Sequence, residues 1–184
     1  MADAATALDA DRPRDALRLL RPILAPTANV ALVRELAGLA SYRLGKWAEA
    51  VEHLEAFRRL TSSTEQHPVL ADAYRALGRY AAVDELWEEL RSVSPAAPLV
   101  TEGRIVAAGA LADQGKLRQA ITLLERGVPK PGRSVGEHHL RLMYALADLH
   151  ERVGDAPRAR ELFTRVAKAD PSLADTAERL QALS

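Results

Sequence analysis

The chain has 184 residues, 48% of them apolar and 27% charged, a mixture suited to a folded protein long enough to bury a core. Lys plus Arg balances Asp plus Glu at 25 each, so there is no electrostatic footprint for nucleic acid, and the absence of cysteine excludes disulfides, thiolate chemistry and cysteine metal sites. Aromatics make up only 4%, which leaves a core of Leu, Ala and Val and favours helices over sheets.

The N-terminal MADAATALDADRP lacks a basic flank followed by an apolar run, so it does not read as a secretion signal. No stretch is apolar for long enough to span a bilayer. The expected location is cytoplasmic, with neither membrane nor nucleic acid among the expected partners.

Taken in chain order, one spacing returns five times. The first instance has Ala4, then Asp11, then Pro13, Ala16, Leu20 and Ile23. Pro22 falls inside its second helix, which should end or kink there because proline has no N–H to donate. The second instance has Gly38, Gly45, Trp47, Ala50, Leu54 and Phe57 at the same offsets. The third has Ala71, Gly78, Tyr80, Val83, Trp87 and Leu90, and its short first helix is expected to start near Pro68. After the proline-containing loop 92–98 comes the fourth, with Ala108, Gly115, Leu117, Ala120, Leu124 and Gly127. A second such loop, 128–137, leads to the fifth, with Ala147, Gly154, Ala156, Ala159, Phe163 and Val166. Last, Leu173, Ala177 and Leu180 form a stripe on a closing helix.

The anchors 11, 45, 78, 115 and 154 are separated by 34, 33, 37 and 39 residues. Each is read as the corner between two antiparallel helices. Glycine there tolerates the left-handed conformation that ends a helix. The small residues before and after the corner let the two backbones approach where they cross. A single pair is too small to bury its own faces, so pairs must stack.

This period, the small–corner–small pattern, the large residue nine after the glycine, and Pro95 and Pro171 seventeen after theirs resemble tetratricopeptide repeats (TPR) over essentially the whole chain. The early Trp of that signature is absent throughout, and Asp11 replaces the first corner glycine. The resemblance implies an all-α fold, an α-α superhelix or solenoid of about five TPR-like helix-turn-helix units plus a C-terminal capping helix. The units are expected at roughly 1–27, 28–62, 65–95, 98–130 and 136–171, with the cap at 172–183.

Catalytic constellations are not found. The glycines are solitary and regularly spaced, which suits helix ends rather than a phosphate loop. His138, His139 and His150 with Glu151 form the only cluster of ligand types. Neighbouring helical residues point about 100° apart, so the first two cannot clamp one ion, and a structural role is expected. The carboxylates Asp84, Glu85, Glu88 and Glu89 read as a solvated helix face. No enzyme activity, metal or cofactor is therefore expected.

The resemblance further implies that first helices line a concave groove for an extended or helical peptide. The positions that turn that way are Glu35, Leu39, Tyr42, Arg43, Asp72, Arg75, Ile105, Asp113, Tyr144, Asp148 and Arg152. Tyr and Arg suit binding anchors, although alternating Arg and Asp also serves solubility and internal ion pairing. The Lys/Asn/Arg clamp by which some relatives hold a chaperone's C-terminal carboxylate is not matched, since Glu35, Leu39 and Val69 stand there. The expected function is a scaffold that binds a protein or peptide segment. Self-association is the alternative, and a small-ligand or metal-binding accessory is a remote one.

Overall fold

The computed structural model describes residues 1–24, 29–93, 95–130 and 134–183. Among them are eleven α-helices and one 3-10 turn, with no strand. The chain divides into two compact lobes, Met1–Val93 and Ser94–Ser184.

The N-terminal lobe contains α1 (Ala2–Asp9), α2 (Pro13–Leu20), α3 (Ala31–Arg43), α4 (Trp47–Thr61), α5 (His67–Ala76) and α6 (Tyr80–Val93). Consecutive helices pack as hairpins, α1 on α2, α3 on α4 and α5 on α6, and α2 and α4 also touch the helix that follows them. The helix containing Pro22 ends at Leu20, and Arg21–Ile23 continues as a 3-10 turn. Pro68 sits in the first turn of α5, where the missing N–H costs nothing.

The C-terminal lobe contains α7 (Ala97–Asp113), α8 (Leu117–Glu125), α9 (Glu137–Arg152), α10 (Ala156–Ala169) and α11 (Thr176–Ala182). Here α7 packs on α8 and on α9, α9 on α10, and α10 on α11. Phe163, Leu142, Leu146 and Leu162 are fully buried at its centre. Each such side chain contributes about 1.5–3 kcal/mol by leaving water.

The corners share one geometry. Gly45, Gly78, Gly115 and Gly154 have φ of 69°, 70°, 75° and 83°, and Asp11 takes φ 52° in the same place. In each, the N–H after the corner donates to a carbonyl five residues back: Arg12 to Ala7, Lys46 to Ser41, Arg79 to Tyr74, Lys116 to Leu111 and Asp155 to His150. These bonds satisfy carbonyls that the helix end would otherwise leave open.

The small residues that flank the corners are all buried. At Gly38 the contact differs in detail from a facing of Gly38 with Ala50. A β-carbon on Gly38 would come within 2.6 Å of the Leu54 side chain, so Leu54, one turn beyond Ala50, closes over the glycine. The closing helix also differs by one register. Ala177 is exposed, while Thr176 is buried and Leu173, Leu180 and Leu183 pack on the core. The helix begins only at Thr176, so Leu173 reaches the core from the preceding turn and the helical stripe runs through Thr176, Leu180 and Leu183. The first expected boundary, at 27–28, and parts of the loops 92–98 and 128–137 lie outside the described residues.

Candidate functional site

In the N-terminal lobe, α3 carries Glu35, Leu39, Tyr42 and Arg43, and α5 carries Asp72 and Arg75. Three of these come together. The Tyr42 hydroxyl donates to Asp72 Oδ2 at 2.7 Å, and Arg75 Nη1 lies 3.3 Å from Asp72 Oδ1. Burial and then the Asp72 carboxylate push the Tyr42 phenol well above its ordinary pKa, so it stays a donor. The Tyr42 ring meets Trp47 edge to face at 5.4 Å. Glu35 accepts from Gln66 Nε2 at 2.8 Å, again linking α3 to the start of α5. Arg43 turns toward the first hairpin, where it donates to the Leu8 carbonyl and lies 3.8 Å from Asp11. Leu39 is half-buried against the core of the first three helices.

In the C-terminal lobe, α7 carries Ile105 and Asp113, and α9 carries Tyr144, Asp148 and Arg152. Ile105 and Tyr144 line one cavity of about 280 Å³, together with Glu102, Arg141, Ala145, Leu173 and Ala174. The Tyr144 ring rests edge to face on buried Phe163 at 5.5 Å, and its hydroxyl donates to Asp175. Burial and that carboxylate push its pKa up to about 12. Asp148 is 2.8 Å from Arg179 Nη2 and 3.9 Å from Arg152 Nη1. Asp113 is exposed and stands apart from the cavity.

Several of these neighbours were not among the sequence-selected residues. Glu102 and Arg141 stand three residues before Ile105 and Tyr144, so one more step along the same helical faces finds them. Leu173 and Ala174 precede α11; the sequence places Leu173 on the stripe of the closing helix, whereas Ala174 carries no periodic signal. Arg179 is another, bonding Asp148 and Glu151 while its guanidinium lies 5.1 Å over the Phe163 ring.

The histidines take packing and hydrogen-bonding places. His150 Nδ1 is 3.1 Å from Asp155 Oδ2, and His139 Nδ1 accepts from the Gly136 N–H at 3.1 Å. His67, only 2% exposed, lies 3.2 Å from Glu89 Oε2, which also binds Arg58 at 2.5 Å. Among the described residues no three His, Asp or Glu side chains are grouped to hold a metal. None of the described helices is long and apolar enough to cross a membrane.

Helix hairpins with left-handed corners, stacked through small buried residues, define an all-α helical-repeat protein. The tetratricopeptide repeat family model matches residues 2–65 and 105–174, and the chain belongs to that family. Among solved structures, it is similar to a thermophilic TPR protein of Thermus thermophilus at 17% identity, covering 98% of this chain and 94% of that one, with a TM-score of 0.71. It is also similar to the nearly identical TPR-like repeats of a candidate kinesin light chain from Podosopora anserina, at 25% identity, 92% and 94% coverage and a TM-score of 0.69. A point variant of those repeats matches at 24% identity, with 92% and 93% coverage and a TM-score of 0.70. No curated protein sequence matches the chain.

Proposed function

We propose that this chain is a non-enzymatic scaffold that holds a peptide or protein segment on the faces of first helices, α3 and α5 within the N-terminal lobe or α7 and α9 within the C-terminal lobe. The tetratricopeptide fold is that of a protein-interaction scaffold, and this supports the coarser part of the reading. The finer part rests on one observation. Ile105 and Tyr144, chosen from the repeat resemblance and helical register, share the wall of an apolar cavity. Such a recess, with a few polar groups at its edge, is the ordinary form of a recognition pocket. The hairpins α1–α2, α3–α4, α5–α6, α7–α8 and α9–α10 are the five repeats of this reading, and α11 is the cap.

The test is site-specific photo-crosslinking in extract of the native cell. A photoreactive residue replaces Arg152 on the first-helix face of α9, or Arg91 on the exposed side of α6 as the control. A partner joined from position 152 and not from 91 is the expected result. Equal labelling from both, or from neither, removes the reading. If the joined partner is a second copy of the chain, self-association replaces it.

A further inference from the structure

The closing helix is held by charge more than by burial. Of the seven residues of α11 only Thr176 is buried, while Leu180 and the flanking Leu173 and Leu183 are partly buried against the core. The first helix α5, by contrast, buries His67, Pro68, Leu70, Ala71 and Ala73. So short a helix does not persist in water by itself, and α11 stays folded only while docked.

It docks where the first helix of a following unit would lie. Gln66, at the start of α5, bonds Glu35 across an interval of 31 residues. Asp175 accepts from Tyr144, and Arg179 donates to Asp148, at the same interval of 31. Arg179 is the centre of this contact. It donates to Asp148 at 2.8 Å and twice to Glu151, at 2.9 and 3.0 Å, and stands 5.1 Å over the Phe163 ring. Bonds between ionised partners are among the stronger ones, and here one side chain makes several. That side chain is still 23% exposed, so salt reaches it.

The turn leading into α11 is strained. Ala174 takes φ 50°, in the left-handed region where a β-carbon crowds the following carbonyl. Leu173 and Ala174 also wall one side of the recess beside Ile105 and Tyr144. Lifting α11 would therefore relax Ala174, remove that wall and free the Tyr144 and Phe163 rings.

We infer that residues 173–182 form a strap, latched by Arg179, that opens while α9 and α10 stay folded and so bares the recess and the face of α9. The occupant of that face is the chain's own α11. The inference deepens the scaffold reading, on which it rests for the use of the site, by adding a gate over the first-helix face of the C-terminal lobe. A weakly buried terminal element is the kind that opens ahead of the whole.

The experiment is amide hydrogen exchange on the full chain, together with the fluorescence of Nile red, a neutral dye that brightens on apolar surface. In the parent, α11 should exchange about tenfold faster than α9 and α10. Arg179→Gln should speed α11 about tenfold further, leave α9 and α10 unchanged and raise the dye signal. Added salt should speed α11 in the parent and less so in the variant. Ala174→Gly accepts the positive φ and should slow α11 a few-fold. Arg91→Gln, which breaks an exposed pair with Glu88 on α6, is the control and should change neither reading.

Three results overturn the inference: α11 as protected as α10 in the parent, an Arg179→Gln chain in which α11 is no faster or α9 and α10 quicken equally, or a faster α11 without a brighter dye. Neither reading needs a partner. No partner at position 152 together with the expected exchange removes the scaffold reading and leaves the strap. A partner there together with an overturning result does the reverse.

Discussion

The two lobes share their corners and small-residue seams, yet their first-helix faces are finished differently. In the N-terminal lobe the face is closed by polar bonds between α3 and α5, with Tyr42 and Arg75 both on Asp72 and Gln66 on Glu35. In the C-terminal lobe α7 packs on α9, and their face keeps an apolar recess beside Tyr144. The difference lies in a few surface positions. Ten residues before the corner glycine, α3 has Glu35, whereas α7 and α9 have Ile105 and Tyr144. A charged head at that position bonds its neighbour, and an aliphatic or aromatic one leaves a pocket. Repeat folds hold the frame constant while such positions vary, so function follows the site rather than the fold.

The comparison breaks most severely at Phe163, which is fully buried and carries both Tyr144 and Arg179 on its ring. Phe163→Ala should cost about 3–5 kcal/mol in denaturant unfolding, since a large cavity would open beneath the recess. Hydrogen exchange should speed up in α9 and α11 first. If those amides stay as protected as in the parent, Phe163 does not support the face.

The corresponding seam in the N-terminal lobe is Gly38. Its added β-carbon would meet Leu54 at 2.6 Å and the Leu54 backbone nitrogen at 3.3 Å, so Gly38→Ala should cost about 1–3 kcal/mol through overpacking. Leu54→Val in the same chain should recover part of the loss, which a urea titration of the single and double variants reads directly. If the double variant is no better than the sum of the two single ones, the strain lies elsewhere.

A smaller effect separates the two tyrosine contacts. The Tyr42–Asp72 bond is half-buried and the Tyr144–Asp175 bond is exposed. Tyr42→Phe should therefore cost about 1 kcal/mol, and Tyr144→Phe measurably less. A double-mutant cycle with Asp72→Asn isolates the first bond from the loss of the hydroxyl itself. Equal costs at the two tyrosines would erase the distinction between a bonded face and an open one.

Much of this frame was legible in the sequence, because it depends on spacing alone. The corners at 45, 78, 115 and 154 follow from glycine's freedom at positive φ, and Asp11 is found by the same interval although it is not glycine. Register also placed Ile105 and Tyr144 on one face. It could not show that Tyr42 and Arg75 would meet on Asp72, because pairing across repeats depends on helix stagger and side-chain rotamers. Nor could it find Ala174 or Arg179, or bring Leu173, which it placed on the closing helix, to the recess. They reach the face from a turn and a closing helix whose position is set by tertiary packing, and so the one-residue shift of the stripe to Thr176 was also out of reach.

The smallest effect concerns His67, which the repeat spacing left without a role. It is buried at the start of α5, facing Glu89 on α6 and Arg58 and Glu55 on α4. Burial is the largest influence and lowers its pKa from 6.5, with Arg58 acting in the same direction and Glu89 and Glu55 opposing. The folded state thus binds this proton less readily than the unfolded chain does. The stability it contributes is fully present above about 6.5 and is lost as the pH falls through the depressed folded value. His53 and His139 are lowered in the same sense, so the parent slope is a sum. Unfolding free energies of the parent and His67→Gln should converge as the pH drops from 7 toward 5, relative to their gap at pH 7. A gap that stays constant would mean that His67 titrates alike in the two states, and that burial beside Glu89 leaves its proton affinity unchanged.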